Sequence, residues 1–309
     1  MLSQSGRLMT RDTSSRQSSI VAAIPVLSLS HHAYHLLQEP HARGRILGRF
    51  RRAVDLLIGA QVLALVTPEI GDGPFNVVVP HLPQLPRQFT LRSHGGGCNL
   101  GPLPLHFDAG TRLWDARPPW SSLRFKPSAL RTLRDVIAEA AARSDSSPLA
   151  AAVHTGANSR VAELNTALRS GDSAAIRDAA AGLAGWGPGL TPSGDDYLAG
   201  FMLGLWAIPH SHDRELDTEH ALVSSFAFSR AELCAWITQA AAPRTTRISR
   251  AFLRVARDGL ADVHWHTLLY ALADGEPSTV ERAAQTVLAF GATSGFDMLL
   301  GFLHVHECL

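Results

Sequence analysis

Ten residues, Gly187-Pro-Gly-Leu-Thr-Pro-Ser-Gly-Asp-Asp196, gather glycines, prolines, two hydroxyls and two adjacent carboxylates just ahead of an apolar run. Proline fixes φ at 188 and 192 and pushes Thr191 into an extended geometry, while glycine lets main-chain amides approach a ligand closely. If a helix starts here, the amides of Gly194, Asp195 and Asp196 open it, and such a terminus favours an anion. On that reading Gly189, Thr191 and Gly194 receive a small anionic substrate, and Ser193, Asp195 and Asp196 are its catalytic groups. Asp196, three residues after Ser193, can complete an acidic capping box that contributes ~1 kcal/mol. Asp195 is then left without a structural role. A carboxylate there could hold a cation such as Mg²⁺, orient a substrate amide or face water.

The pattern returns 101 residues later. Ser193-Gly-Asp-Asp-Tyr-Leu-Ala-Gly-Phe-Met202 and Ser294-Gly-Phe-Asp-Met-Leu-Leu-Gly-Phe-Leu303 share the form S-G-x-D-x-L-x-G-F-apolar. One reading is purely architectural. Both segments would be buried helices capped by Ser, and Gly200 and Gly301, which cost roughly 0.5–1 kcal/mol each inside a helix, would be compensated by close helix–helix approach. The other adds Ser294 and Asp297 to the substrate site, with Asp297 joining Asp195 in placing Mg²⁺ or a substrate nitrogen.

Known phosphate loops fit poorly. Gly189 to Gly194 has the spacing of a Walker A loop, but Asp195-Asp196 stands where Lys and Ser/Thr are required. Gly185-Trp-Gly187 opens like a dinucleotide fingerprint, but Leu190 occupies the third glycine position and no strand leads in. Asp72 and Asn76 flank Pro74-Phe75 in a Gly-rich turn, which reads as an Asx-stabilised turn. If it faced the start at 194, Asn76 could orient an amide or carbamoyl group. Thr246 and Ser249 form a cap-like T-x-x-S step whose hydroxyls could join the same polar pocket. The 15 histidines include no H-E-x-x-H and no Cys/His ligand cluster, so they read as surface or half-buried side chains and the chain names no metal ligands. Cys98, beside Gly95-Gly-Gly97, reads as an ordinary loop thiol.

The elements that must position these groups change type along the chain. Residues 1–18 are Ser/Arg-rich without an apolar segment and read as a frayed tail. Within 19–126, Val62–Val66, Asn76–Val79 and Phe89–Arg92 are short β-favouring runs separated by Gly and Pro, which suggests an antiparallel sheet or small barrel rather than βαβ units. Within 127–309 the spacing becomes helical. Ser128 would cap a helix carrying Leu130, Leu133, Val136, Ile137 and Ala140. Further helices are expected around Val161–Leu168, Ile176–Leu183, Ser249–Gly259, Asp262–Ala273 and Pro277–Phe290, the last opened by a Ser278-Thr-Val-Glu281 capping box. Pro118 to Pro127 is the expected seam, and the fold class is α+β.

Composition excludes other partners. Twenty-eight basic against 27 acidic side chains leave a net charge of +1, which is no footprint for nucleic acid. No apolar run reaches the ~18 residues that span a bilayer, and Tyr197–Ile208 reads as a buried helix. Three scattered cysteines suit a reduced, cytoplasmic protein.

The block GPGLTPSGDD, together with the later GATSGFD helix start, resembles the bacterial AllH-type family. The likeness extends to Arg51–Leu56, Glu69–Asn76 and Thr245–Ser249, and covers roughly residues 25 to 305. The resemblance implies a subunit of an oxamate carbamoyltransferase in allantoin breakdown, working with an FdrA-type chain and a third chain. It implies reversible transfer of a carbamoyl group between carbamoyl phosphate and oxamate. It assigns no catalytic residues, so those named above rest on the residues themselves. The alternative is an assembly or metabolite-sensing subunit without chemistry of its own.

Overall fold

The computed structural model describes residues 22–143, 147–150, 159–208 and 228–308. The expected tail, 1–18, lies outside them. The architecture is α+β: a curled ten-stranded sheet followed by a helical region.

The strands are β1 (Ile24–Pro25), β2 (Ser28–Ser30), β3 (Ala42–Arg49), β4 (Ala53–Ile58), β5 (Gln61–Val66), β6 (Asn76–Val78), β7 (Gln88–His94), β8 (Gly97–Leu100), β9 (Leu103–His106) and β10 (Arg112–Trp114). Their order is β1-β9-β8-β7-β3-β4-β5-β6-β2-β10. Because β1 and β2 follow each other along one stretch of chain, that stretch bonds first to β9 and then to β6, and the sheet curls back on itself. The curled sheet is mainly antiparallel, as expected, and includes three parallel pairs, β1–β9, β2–β10 and β5–β6. The first two arise because the β1–β2 stretch pairs with late strands that are not its hairpin partners. Val62–Val66 is buried throughout because one face of β5 packs inside the curl while Val62 meets Ala251 of a covering helix. Cys98 lies in β8 rather than a loop, buried in the sheet core, and burial pushes its thiol up to about 12.

The helices are α1 (His31–Leu37), α2 (Pro127–Arg143), α3 (Ser159–Ser170), α4 (Ser173–Leu183), α5 (Ser193–Ala207), α6 (Arg230–Ala241), α7 (Arg247–Arg257), α8 (Val263–Asp274), α9 (Pro277–Leu288) and α10 (Ser294–Cys308). No helix among the described residues is long and apolar enough to cross a membrane. Two expected caps are displaced. Helix α2 begins at Pro127, so Ser128 lies inside its first turn. Glu276, not Ser278, caps α9, because Pro277 takes the first helical position and Glu276 accepts from the Ser278 amide. The connector at 118–126 packs into the helical core through Trp120 and Leu123, and the Trp120 indole donates to the Gly259 carbonyl at 2.8 Å.

Helix α5 is buried on every side from Ser193 to Leu205, as expected of a helix at the centre of a bundle. Its partner is α10. A Cβ placed on Gly200 would overlap the Met298 carbonyl oxygen, and one on Gly301 would overlap the Tyr197 carbonyl oxygen. Residues 200 and 301, like 197 and 298, are equivalent positions of the repeat, so the two helices cross reciprocally about a local pseudo-two-fold. Close approach is therefore what compensates the two helical glycines.

Candidate functional site

Both S-G-x-D segments begin helices, and the crossing brings the two beginnings together. Ser193 and Ser294 are the first residues of α5 and α10. Ser193 does not cap α5: the cap position is Pro192, whose side chain accepts nothing. The Ser193 hydroxyl instead faces Asp297 of the other helix, and the Ser294 hydroxyl faces Asp196. Thr191 joins them, its hydroxyl 2.9 Å from that of Ser294.

The structure reverses the roles expected of the adjacent carboxylates. Asp195 carries the structural load: its Oδ1 accepts the Gly185 amide at 2.9 Å and its Oδ2 accepts the Thr245 hydroxyl. Burial raises its pKa, while Thr245, the Gly185 amide and Ser249 act in the opposite sense. Asp196 does not cap the helix; it is the carboxylate left over. It is 5% exposed and its Oδ2 has no hydrogen-bond partner. Burial first, then the charges of Asp297 and Asp195, push its pKa up to about 8 against the Ser294 and Thr191 hydroxyls. Asp297 is fully buried. Its Oδ1 accepts the Ser147 hydroxyl at 2.5 Å, its Oδ2 is unpaired, and burial raises its pKa to about 6. The crossing thus holds two carboxyl groups with divided proton affinity, the arrangement that separates an acid from a base in general acid–base chemistry.

The main-chain anion site expected at Gly194–Asp196 is not free. The Gly194 amide donates to the Trp186 carbonyl at 2.8 Å, and those of Asp195 and Asp196 donate to Pro192 at 2.9 and 3.1 Å. Their donors are spent in the turn that starts the helix. Gly189 sits at the exposed tip of the loop with φ +100°, beside Leu190, which is 49% exposed. The loop is held from the other side by the start of α7. Thr246 caps α7 and donates to the Leu190 carbonyl at 2.7 Å, and the Ser249 hydroxyl reaches the same carbonyl at 3.4 Å. Thr191, Ser193, Gly194, Asp195, Asp196, Ser249, Ser294 and Asp297 therefore belong to one connected cluster.

Asp72 and Asn76 do not join it through any hydrogen bond they make. Asp72 accepts the Ser28 hydroxyl at 2.6 Å and pairs with Arg112 at 2.5 Å, and its carbonyl accepts the Val263 amide. The Asn76 amide closes its own turn on the Gly71 carbonyl at 2.8 Å. This turn docks the curled sheet on α8. His264 and His266 help, reaching the Ile70 and Ala116 carbonyls at 3.1 and 3.2 Å. Among the described residues no group of three or more His, Cys, Asp or Glu is placed to hold a metal ion.

Sequence reasoning missed Gly185, Thr245 and Ser147 as partners of the carboxylates, and the buried pair Tyr197–His304, whose side chains hydrogen-bond across the crossing. Burial lowers the His304 pKa to about 4, so the imidazole is neutral there. A lone polar residue on an otherwise apolar helix face is the signal that could have found this pair.

Residues 183–306 match the family model described as oxamate carbamoyltransferase subunit AllH. The match takes in both S-G-x-D helix starts and the Thr245–Ser249 segment. It is shorter than the span of roughly 25 to 305 expected from the motifs, and leaves Arg51–Leu56 and Glu69–Asn76 outside. No solved structure matches the chain.

Proposed function

We propose that the chain is a subunit of an oxamate carbamoyltransferase-like enzyme, and that the crossing of α5 and α10 is its reaction site. The observation that carries this reading is coincidence: the matched residues 183–306 enclose the buried, unpaired oxygens of Asp196 and Asp297. Carbamoyl phosphate or an oxamate-like acid would approach through the 187–192 loop, where Thr191, Ser193 and Ser294 offer hydroxyls. The subunit description implies partner chains; in this reading they are an FdrA-type chain and a third chain, and the enzyme works in the cytoplasm.

The chemistry such a pair supports is proton transfer at nitrogen. In the forward direction the acceptor's amide nitrogen bonds to the carbamoyl carbon, the carbon–oxygen bond to phosphate breaks, and the nitrogen loses a proton. Asp297, with the lower pKa, takes that proton as base. Asp196, protonated at neutral pH, gives its proton to the departing phosphate oxygen, and in the reverse direction each group undoes its own step, Asp297 returning the proton to nitrogen. Asp195 holds the loop through Gly185 and Thr245 and so positions Asp196 rather than reacting.

One observation favours the non-catalytic alternative. The free oxygens of Asp196 and Asp297 are closed to solvent, so a substrate reaches them only if the 187–192 loop moves. Transfer assays with the partner chains separate the two readings. As a transferase subunit, Asp196→Asn and Asp297→Asn each lower the rate at least 100-fold while the melting temperature holds or rises. Unchanged rates in both variants would leave an assembly or sensing role.

A further inference from the structure

The curled sheet leaves part of its outer face open, and that part is basic. On β3 the side chains of Arg43 and Arg45 share a face, because successive strand residues alternate between faces. Register sets their neighbours. Arg43 lies opposite Thr90 of β7 and Arg45 opposite Gln88. On the other side Leu57 of β4 lies opposite Arg45, and the Gly59 amide donates to the Arg43 carbonyl at 2.9 Å. The result is two rows, Gly59–Arg43–Thr90 and Leu57–Arg45–Gln88, about 7 Å apart along the strands. On the inner face the Phe89 ring lies over Gly44, where a Cβ would overlap it, and this contact pins β7 on β3. Helix α7 covers the outer face at Leu57, which joins Ala251 in one apolar cluster. Beside it the sheet holds a groove of about 490 Å³ lined by both rows. A Cβ on Gly59 would meet nothing within 4 Å among the described residues.

That space suits a metabolite, since small-molecule sites enclose about 300–1,000 Å³. Its lining sets the charge. Arg43, Arg45 and Gln88 are exposed, Thr90 is half-buried, and no carboxylate lines the groove. The next acidic group on this face, Asp55, stands two residues before Leu57 and outside the groove. Burial raises its pKa to about 6, which weakens it as a competitor for the arginines. Each guanidinium presents a planar fork of donors that matches one phosphate or carboxylate. Each also has a neutral hydrogen-bonding group on the neighbouring strand, Thr90 or Gln88. A ligand with one acidic group would leave the second cation uncompensated. We infer that the groove of Arg43, Arg45, Gln88 and Thr90 binds a small organic anion with two acidic groups, one on each guanidinium, its carbon frame against Leu57. These residues lie outside the span 183–306 that matches the family, so the site holds whether or not the chain takes part in carbamoyl transfer.

Calorimetric titration of the full chain tests this at physiological ionic strength, where salt screens exposed charges beyond about 8 Å. Phosphoglycolate and glutarate each carry two acidic groups, and acetate is the control with one. At least one of the first two should bind saturably and tenfold or more tighter than acetate. Preference for phosphoglycolate would assign a phosphate ester, and preference for glutarate a dicarboxylate. Arg43→Gln and Arg45→Gln, exposed changes that should keep the circular dichroism of the unaltered chain, should each weaken binding tenfold or more. Arg92 is exposed on the same face of β7, two residues past Thr90 and outside the groove, so Arg92→Gln should change the affinity by about twofold at most. The inference fails if neither ligand binds or if acetate binds as tightly. It fails too if Arg92→Gln weakens binding as much as Arg45→Gln, which would mean diffuse surface charge and no built site.

Discussion

The helix starts at 193 and 294 share a sequence pattern and a backbone environment, yet differ in chemistry. In both, the glycine after Ser packs on a carbonyl at the end of the preceding helix: Gly194 on Leu183, Gly295 on Val287. Each Ser faces the Asp of the other helix. The difference lies at the third position and upstream. Where α5 has Asp195, tied to Gly185 and Thr245, α10 has Phe296, buried in the apolar core. An additional carboxylate and a long clamped loop therefore stand on one side only, and Asp196 holds its proton to higher pH than Asp297. The backbone repeat builds a symmetric frame; burial raises both proton affinities, and the charges of Asp297 and Asp195 add to that of Asp196.

The largest expected effect tests the frame. Gly200→Val and Gly301→Val should each cost more than ~3 kcal/mol or prevent folding, because the new side chain meets backbone that cannot swing away. Urea unfolding of the two variants should give similar losses. A mild loss at one site and a severe one at the other would refute the reciprocal crossing.

Next is the pH dependence of stability. Asp196 and Asp297 bind protons in the folded chain up to about pH 8 and 6, against an ordinary 3.8. The folded state therefore holds more protons than the unfolded state above pH 4. Stability from these groups is complete below that point and falls as pH rises through 6 and then 8, by a few kcal/mol in all. Thermal unfolding should show this decline between about pH 4 and 8. Asp196→Asn should flatten its upper part and Asp297→Asn its lower part. A decline that both variants leave untouched would show that neither group titrates as its burial requires.

Smaller effects separate load from cap. Asp195→Ala leaves the Gly185 amide and the Thr245 hydroxyl without their acceptor, for a loss of about 1–3 kcal/mol. Thr245→Val should recover part of that loss in the double variant. Ser193→Ala removes only a hydroxyl facing Asp297, about 1 kcal/mol, and Thr246→Ala removes the true cap of α7 at a similar cost. Chemical denaturation ranks the four. If Ser193→Ala cost more than Asp195→Ala, the expected Ser cap would have to be restored.

Local sequence was a good guide wherever a periodic face met a single core. Leu164 and Leu168, Ile176 to Leu183, and Asp262 at the start of α8 appear where spacing and caps place them. That Asp195 rather than Asp196 takes the structural hydrogen bonds has a physical reason. Successive residues on a helix point about 100° apart, and no local rule says which direction faces a neighbour. The chain alone also could not show that the amides at 194–196 are occupied, because Trp186 reaches Gly194 only once the loop has folded.

The sequence by itself determined most helix spans after Pro127, though not α6, the change from strand to helix near Pro127, and a repeat whose glycines demand contact. Side-chain periodicity and backbone freedom are properties of a few consecutive residues. Tertiary structure alone decided which carboxylate is spent and which is left, that Ser193 and Ser294 serve each other's helices, and that parallel pairs close the curl of the sheet. Those outcomes depend on surfaces that meet across 100 residues of chain, where burial removes the water that would otherwise satisfy every polar group alike.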